Sequence, residues 1–352
     1  MNQRLERLRQ LLAEKKLDAI FVSQAENRRY LSEFTGSAGF LLVTPKDAIL
    51  ATDFRYTKQA EQQSPCFDIF RTDGAISQWF AELVSLFDIK RIGFESADIS
   101  FATYRDITSN PSGRELIPTE GVIESLRAVK DEEELKHIIE AIKIADDAFG
   151  QAAASLQPGM TEIEAAWQIE SMMRDMGSEP LPFDIIVASG PNAALPHHRP
   201  TDRPIAAGEP VVIDMGARVE GYASDLSRTI TLGKEDDKFG KIYDLVLGAQ
   251  LTAIATIEAG MSGETSDGLA RTVIEQGGYA ESFGHGLGHG IGLATHESPR
   301  LGQNSPDVLA DGMVFTIEPG VYISGWGGVR IEDVVILEQG RARPLTGSNK
   351  IR

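Results

Sequence analysis

The pattern of hydrophobic positions alternates between helix and strand through the first part of the chain. Residues 3–16 carry leucines at helical spacing and predict an amphipathic helix. The short apolar run Ala19–Val22 follows and is typical of a buried strand. Further patterns predict strands at 39–43, 48–52 and 91–94 and a helix at 76–86. This alternation predicts a small α/β domain that ends near residue 122.

A dense charge run at residues 127–134 interrupts this alternation. It leads into isoleucines at helical spacing, and its acidic residues suit the start of a helix. A chain of 352 residues is also longer than most single cores. We therefore predict two domains, residues 1–125 and 126–352. The alternative is that the charge run is one solvated helix face within a continuous domain.

An internal repeat follows the predicted boundary. Gly159-Met160-Thr161 and Gly260-Met261-Ser262 each follow a long helical pattern, and each begins another that ends in glycine. A pair of strand-like segments comes next in both halves, at 211–232 and 314–337. Two copies of helix, helix and hairpin predict a pseudo-symmetric α+β domain rather than a solenoid.

Each predicted hairpin carries two carboxylates that a turn would bring face to face. The expected pairs are Asp214 with Asp225, about a turn at 219–220, and Glu318 with Glu332, about residue 325. Cross-strand partners project from the same face of a sheet. Opposed carboxylates among apolar neighbours repel one another unless a cation lies between them. The pattern therefore predicts a cation site, either one structural calcium ion or a pair of divalent ions.

The histidines favour the second alternative. Five of the six lie between the first helical repeat and the second hairpin: His197, His198, His285, His289 and His296. The segment 283–292 alternates glycine with other residues, which allows close approach of backbone and ligand. It does not match the dinucleotide-binding fingerprint, because the sixth position, with each candidate glycine counted as the first, is not glycine.

Composition narrows the class of protein. The chain has 52 acidic and 34 Lys or Arg residues, for a formal net charge of −18, which disfavours nucleic acid and anionic membranes as partners. The single cysteine, Cys66, excludes an intrachain disulfide and suits a reducing compartment. The sequence carries neither a signal peptide pattern nor an apolar run of membrane-spanning length. We therefore expect a cytoplasmic location.

These motifs together resemble the pita-bread metallopeptidases, specifically the proline peptidases, which comprise aminopeptidase P and Xaa-Pro dipeptidase (prolidase). The matching motifs are residues 213–216, 224–229, 284–292, 318–322 and 328–333. The resemblance covers almost the whole chain. It implies an α+β fold, with a creatinase-type N-terminal α/β domain over 1–125 and a catalytic pita-bread domain with a pseudo-twofold repeat over 126–352.

The resemblance also implies a set of site residues. The metal ligands would be Asp214, Asp225, His289, Glu318 and Glu332, with Asp225 and Glu332 bridging two divalent ions per subunit. Manganese is the implied ion, and cobalt or zinc are alternatives. The other implied active-site residues are His197, His285 and His296. We expect Glu318 to accept a proton from the attacking water, and Arg330 either to orient a ligand or to form a structural ion pair. Arg300 matches a position that binds the substrate carboxylate in prolidase-like relatives.

The implied activity is hydrolysis of the peptide bond that precedes proline. Arg300 favours an Xaa-Pro dipeptidase. One alternative is an aminopeptidase P that removes the N-terminal residue from longer Xaa-Pro peptides, and another is a non-catalytic peptide-binding protein. The resemblance further implies a homodimer whose partners are proline-containing peptides.

Overall fold

The computed structural model describes residues 2–109, 113–235 and 237–350. The chain divides into two compact units, residues 1–127 and 128–352. No helix among the described residues combines the length and the apolar character needed to cross a membrane.

The first unit is built around one six-stranded sheet. Its strands are β1 (Ala19–Val22), β2 (Phe40–Val43), β3 (Ala48–Thr52), β4 (Asp68–Arg71), β5 (Arg91–Glu95) and β6 (Glu115–Thr119). Its helices are α1 (Asn2–Glu14), α2 (Ala25–Ser32), α3 (Thr57–Gln63), α4 (Ile76–Ser85) and α5 (Phe101–Thr108), and α6 (Glu124–Ala128) spans the division between the units. The sheet order is β4-β3-β2-β1-β5-β6, with β1 antiparallel to β2 and parallel to β5.

The predicted elements of this unit are confirmed to within about two residues, the usual uncertainty of element ends. The first helix ends at Glu14 rather than 16, because Lys16 has a left-handed backbone with φ of 56°. The core is aromatic: the ring of Phe21 stacks on Phe40 at 5.1 Å and meets Phe80 edge-on at 4.9 Å. These geometries are the preferred ones for aromatic pairs.

The second unit consists of long helices against two sheets and two short ribbons. Its helices are α7 (Glu132–Ser155), α8 (Glu162–Asp175), α9 (Asp237–Thr256) and α10 (Gly263–Gln276). Its strands are β7 (Ile186–Ser189), β8 (Pro210–Met215), β9 (Arg218–Val219), β10 (Tyr222–Ala223), β11 (Leu226–Thr231), β12 (Gly288–Gly290), β13 (Glu297–Leu301), β14 (Val314–Ile317), β15 (Gly320–Ile323), β16 (Gly327–Arg330), β17 (Asp333–Glu338) and β18 (Arg341–Pro344). The sheets are β11-β8-β7 and β13-β12-β14-β17-β18, and the ribbons are β9-β10 and β15-β16.

The predicted internal repeat is confirmed by this arrangement. In each half a long helix is followed by a left-handed glycine, Gly159 with φ of 94° and Gly260 with φ of 90°. The next helix is then capped by a hydroxyl, since Thr161 accepts from the amide at position 164 and Ser262 from that at 265. A pseudo-symmetric α+β unit results.

The predicted register of the first hairpin is wrong by two residues. Asp214 pairs with Ser227 rather than with Asp225. The turn lies at Glu220-Gly221, where both residues have positive φ of 46° and 78°, and not at 219–220. A two-residue shift preserves the face on which a side chain lies, because the strand period is two.

The predicted register of the second hairpin is confirmed on both sides of a break. Gly320 pairs with Arg330 in the β15-β16 ribbon, and β14 and β17 continue the same register. Glu318 and Glu332 lie in the break between the ladders. Their amides donate elsewhere, to the carbonyl oxygens of Leu287 at 2.8 Å and Ser227 at 3.0 Å.

Candidate metal centre

The five predicted ligands come from strands and strand breaks in the two halves of the second unit. Asp214 lies on β8 and His289 on β12. The other three lie where strands are interrupted: Asp225 between β10 and β11, Glu318 between β14 and β15, and Glu332 between β16 and β17. The paired strands on either side hold these breaks in place.

Three of the five side chains converge closely. One ligand atom from each of Asp225, His289 and Glu332 lies within 4.8 Å of the others, so this group could hold a metal ion. Glu318 adjoins it, with Oε1 at 3.3 Å from His289 Nε2, and Asp225 Oδ2 lies 3.7 Å from the same nitrogen. Asp214 is outside the group of three and instead contacts Arg330.

The donor atoms fit a divalent cation. His289 Nδ1 lies 3.1 Å from the carbonyl oxygen of Gly290 and donates to it, so Nε2 is the ring nitrogen that faces the carboxylate oxygens. Asp214 Oδ1 and Glu332 Oε1 are buried and have no hydrogen-bond partner in the described structure. Unpartnered buried carboxylate oxygens are costly, and bound cations would satisfy them.

The pKa values in this cluster are shifted because several acidic side chains are buried close together. Burial and the nearby carboxylates of Glu332 and Asp214 raise the pKa of Asp225 well above its ordinary value. Burial and the carboxylates of Glu318 and Asp214 do the same to the pKa of Glu332. Burial alone would raise the pKa of Glu318, but the hydrogen bond and charge of His289 outweigh it and hold the pKa at about 2.

A buried guanidinium links the cluster to its surroundings. Arg330 donates from Nη2 to Asp214 Oδ2 at 2.6 Å, from Nη1 to Tyr322 Oη at 3.0 Å and from Nε to Ser227 Oγ at 2.8 Å. Arg330 was predicted either to orient a ligand or to form a structural ion pair. The structure gives it an ion pair with Asp214, one of the five predicted ligands.

His285 is held as a neutral imidazole. Its Nδ1 lies 2.8 Å from the Gly286 carbonyl oxygen and must donate, so Nε2 accepts the hydroxyl proton of Tyr322 at 2.9 Å. Burial lowers the pKa of His285. From α10, Arg271 Nη2 donates to the His285 carbonyl oxygen at 2.8 Å and Asp267 pairs with Arg271 at 2.7 Å. The backbone and the ring of His285 are thus both fixed.

The two other predicted histidines are exposed beside this cluster. The ring centroids of His296 and His289 are 4.1 Å apart. Partial loss of solvent around its ring, together with the charge of His289, lowers the pKa of His296. The charge of His197 contributes to the lowered pKa of both His285 and His296, so His197 lies near both rings.

Arg300 lies on β13 directly opposite His289. Its side chain is exposed, and Nη2 donates to the Gln303 carbonyl oxygen at 3.4 Å. Its amide donates to Asp307 Oδ2 at 2.7 Å. Within the described residues no hydrogen bond joins Arg300 to the five predicted ligands.

Sequence reasoning missed the residues that hold the ligands. Thr316 Oγ1 accepts from the His289 amide and donates to Glu318 Oε1, both at 3.1 Å. Ser227 and Tyr322 both bind Arg330. Thr316 stands two residues before Glu318 on the same strand face, so alternation along the ligand strands could have indicated it.

Comparison with known proteins identifies the family. The model of metallopeptidase family M24 matches residues 136–339, and that of the creatinase/prolidase N-terminal domain matches residues 4–129. The chain belongs to metallopeptidase family M24, whose name states the use of metal in peptide hydrolysis. The predicted resemblance and the predicted fold, a creatinase-type N-terminal domain followed by a pita-bread domain, are confirmed.

Solved structures of similar proteins cover nearly the full chain. An Xaa-Pro dipeptidase from Bacillus anthracis is 42% identical with a TM-score of 0.96, over 99% of this chain and 98% of that one. The prolidase from Pyrococcus horikoshii is 34% identical with a TM-score of 0.93, over 99% of each chain. An X-Pro aminopeptidase from Thermotoga maritima is 37% identical with a TM-score of 0.90, over 98% of each chain.

Proposed function

We propose that this protein is an Xaa-Pro dipeptidase that hydrolyses the peptide bond before proline with two divalent metal ions. The proposed ligands are Asp214, Asp225, His289, Glu318 and Glu332, with Asp225 and Glu332 shared by both ions. The observation that carries the proposal is the convergence of Asp225, His289 and Glu332 beside buried carboxylate oxygens that lack a partner in the described structure. Similarity to an Xaa-Pro dipeptidase and a prolidase over the whole chain supports the substrate class.

We propose manganese as the native ion, because a set of oxygen ligands with a single imidazole suits it better than it suits zinc. Cobalt and zinc are the alternatives. Two such ions would lower the pKa of water to supply a nucleophile at neutral pH and would polarise the substrate carbonyl. No serine or cysteine nucleophile is needed.

The chain itself supplies proton transfer and charge stabilisation. Glu318, whose Oε1 lies 3.3 Å from His289 Nε2, is proposed to accept a proton from the attacking water. His197 and His296 are proposed to stabilise the charge that develops on the substrate carbonyl oxygen. His285, whose ring is fixed by Tyr322, is proposed to line the pocket for the proline ring.

Arg300 is proposed to bind the carboxylate of a dipeptide through parallel hydrogen bonds. An aminopeptidase P activity is the second candidate. It is favoured by the similarity to the X-Pro aminopeptidase from Thermotoga maritima and by the solvent-exposed position of the Arg300 side chain. Membership of a metallopeptidase family disfavours the third alternative, a non-catalytic peptide-binding protein.

We further propose a cytoplasmic homodimer that acts on proline-containing peptides and binds no nucleic acid. The proposed functional division is an N-terminal domain over 1–125 and a catalytic domain over 126–352. The acidic net charge and the single cysteine support the location and the lack of nucleic acid partners. Light scattering that gives a fully active monomer would refute the dimer.

The test is hydrolysis by chelator-stripped protein before and after addition of manganese. The substrates are an Xaa-Pro dipeptide, an Xaa-Pro-Xaa tripeptide and, as the matched control, an Xaa-Ala dipeptide. We expect cleavage to depend on metal, to exclude the alanine peptide and to favour the dipeptide. Preference for the tripeptide would assign the second candidate activity, and no cleavage with confirmed metal occupancy would refute the proposal.

A further inference from the structure

The segment 189–201 brings His197 to the metal centre. It starts at the end of β7, continues through a short 3-10 helix at Gly190–Ala194 and then turns, with the His198 amide donating to the Leu195 carbonyl oxygen at 3.1 Å. His197 is exposed in this turn. A loop lacks the regular backbone hydrogen bonds of a helix or strand. A side chain in a loop therefore holds one position only if the neighbouring residues are fixed by other contacts.

Both ends of this loop are tied to one carboxylate. Glu162 is the first residue of α8 and is fully buried. Its Oε1 accepts from the Ser189 amide and hydroxyl, both at 2.8 Å, and from Asn192 Nδ2 at 3.0 Å. Its Oε2 accepts from the Thr201 amide at 3.0 Å and hydroxyl at 2.7 Å, and from His198 Nε2 at 2.9 Å. Six donors therefore close the loop around a single buried acid.

The proton on His198 can be assigned from its partner. Burial alone would raise the pKa of Glu162, but the hydrogen bonds from His198 and from the loop outweigh burial and hold that pKa at about 2. The ionised carboxylate only accepts hydrogen bonds, so His198 Nε2 carries the proton and donates it. The His198 side chain is 9% exposed and the Glu162 side chain 0%, so solvent competes little for this bond.

The other neighbour of His197 is tethered on the side of the metal centre. Arg330 Nη1 donates to the Pro196 carbonyl oxygen at 3.3 Å, and the same guanidinium binds Asp214. His197 therefore lies between one residue held by Arg330 and one residue whose side chain is held by Glu162.

We propose that Glu162 and His198 are positioning residues, which act on the reaction by holding His197 toward the metal centre. The sequence assigns His198 no role beyond that of a neighbour of His197. This inference rests on the proposed function only in that His197 must contact the substrate. A positioning error of about 1 Å can cost about a hundredfold in rate, so this support matters for catalysis as well as for folding.

The test compares two substitutions of His198 in the full-length, metal-loaded protein. His198→Gln keeps an amide donor near the position of Nε2, and His198→Phe keeps a ring but removes the donor. We expect His198→Phe to lower kcat about tenfold or more with KM little changed, because His197 acts on charge that develops only in the transition state. His198→Gln should retain kcat within about threefold of the unsubstituted protein.

The same substitutions in a His197→Ala background separate positioning from general damage. There His198→Phe should cause no further loss of kcat, since residues that act through one another are not additive. Equal losses in both backgrounds, or equal losses for Gln and Phe, would overturn the proposal. His137→Phe is the matched control: His137 lies in α7, its ring stacks on Tyr222 of β10, and the kcat of this variant should be unchanged.

Hydrogen–deuterium exchange gives a readout that does not depend on activity. Amides in 189–201 should exchange faster in His198→Phe than in His198→Gln, and similar rates in the two would overturn the proposal. If His198→Phe does not fold, His198→Asn replaces it, because its shorter amide has no donor at the Nε2 position. A protein with bound metal that cleaves no Xaa-Pro peptide would refute the proposed function, and the exchange comparison would still decide the role of His198.

Discussion

Arg330 Nη2 donates to Asp214 Oδ2 over 2.6 Å, while Oδ1 of the same carboxylate has no partner in the described structure. Oδ2 of Asp214 thus binds the Arg330 guanidinium, and Oδ1 is available to bind a metal ion. The side chain of Arg330 is only 4% exposed, so the pair is shielded from solvent. A carboxylate fixed through one oxygen presents the other in a defined direction, which is what a metal ligand requires.

Arg330→Lys should therefore weaken metal binding. A lysine is a point charge and cannot keep the contacts of a planar guanidinium to both Asp214 and Tyr322. We expect the affinity for manganese to fall by about tenfold to a hundredfold, measured by titration calorimetry. Arg341→Lys, in an exposed pair with Glu258, is the matched control and should bind manganese normally. Unchanged affinity in Arg330→Lys would mean that Asp214 needs no such support.

The sequence predicted the elements that are marked by runs or periodic patterns of apolar residues. The fully buried strand at Ala19–Val22 is an example. It did not predict β4, an edge strand whose residues are half-buried or exposed, or α2, where Asn27 and Arg28 are buried through polar contacts. Those contacts come from distant segments, such as Glu95 Oε1 to Asn27 Nδ2 at 2.6 Å, and local patterns do not contain them.

The same limit applies to the candidate site. The five predicted ligands stand in short motifs. Four of them lie together in the structure, and Asp214, whose predicted register was wrong, contacts Arg330 instead. That register depends on which residue of the turn has a left-handed backbone. Glu220 has one, with φ of 46°, although a positive φ is uncommon for glutamate. Glu162 was missed because its importance comes from six donors that only folding brings to it.

Asp225→Asn should remove catalysis without unfolding the protein. The substitution replaces a proposed bridging carboxylate by a neutral amide of the same shape. We expect kcat/KM for an Xaa-Pro dipeptide to fall at least about a thousandfold, because metal activation supplies several kcal/mol of the barrier reduction. Circular dichroism should be unchanged, and metal analysis should give fewer ions per chain. Normal turnover would refute the dinuclear mechanism.

Arg300→Ala tests the basis of specificity. If its guanidinium binds the carboxylate of a dipeptide, removing it should raise KM for the dipeptide by about tenfold or more. The tripeptide, whose carboxylate lies one residue further on, should change by less than about threefold. Arg343→Ala, in an exposed pair with Glu338 on the same sheet, serves as the control. Equal effects on both substrates would remove Arg300 from the specificity site.

Lys130 and Glu297 form a buried ion pair, with Nζ and Oε1 2.8 Å apart and side chains 1% and 4% exposed. Lys130→Met would leave a carboxylate without its cation and should lower the free energy of unfolding by about 3–5 kcal/mol. The double variant Lys130→Met, Glu297→Gln should recover part of that loss. As a surface control, Arg343→Met should cost no more than about 1 kcal/mol. Chemical denaturation provides the measurement, and a small effect of Lys130→Met would show that the pair is dispensable.

Glu162 should make stability depend on acid in a defined pH range. Its pKa in the folded protein is about 2, because the hydrogen bonds from His198, Thr201 and Ser189 outweigh the effect of burial. The unfolded value is about 4.3, so the folded state favours the ionised form. The contribution of Glu162 is therefore fully present above the unfolded pKa and is lost as the pH falls from about 4.3 toward 2.

Glu162→Gln should consequently be most harmful near neutrality. At pH 7 we expect a loss of about 3 kcal/mol or more in the free energy of unfolding, since several buried donors lose a charged acceptor. The difference in free energy of unfolding between the unsubstituted protein and Glu162→Gln should narrow below about pH 4, where the stabilisation from the ionised Glu162 begins to be lost. Acid effects at the metal centre are common to both proteins and cancel in the difference. Glu170→Gln, in an exposed pair on the same helix, is the control and should match the stability of the unsubstituted protein at every pH. If the stability difference between Glu162→Gln and the unsubstituted protein stays constant down to pH 3, the six hydrogen bonds do not favour the ionised form of Glu162.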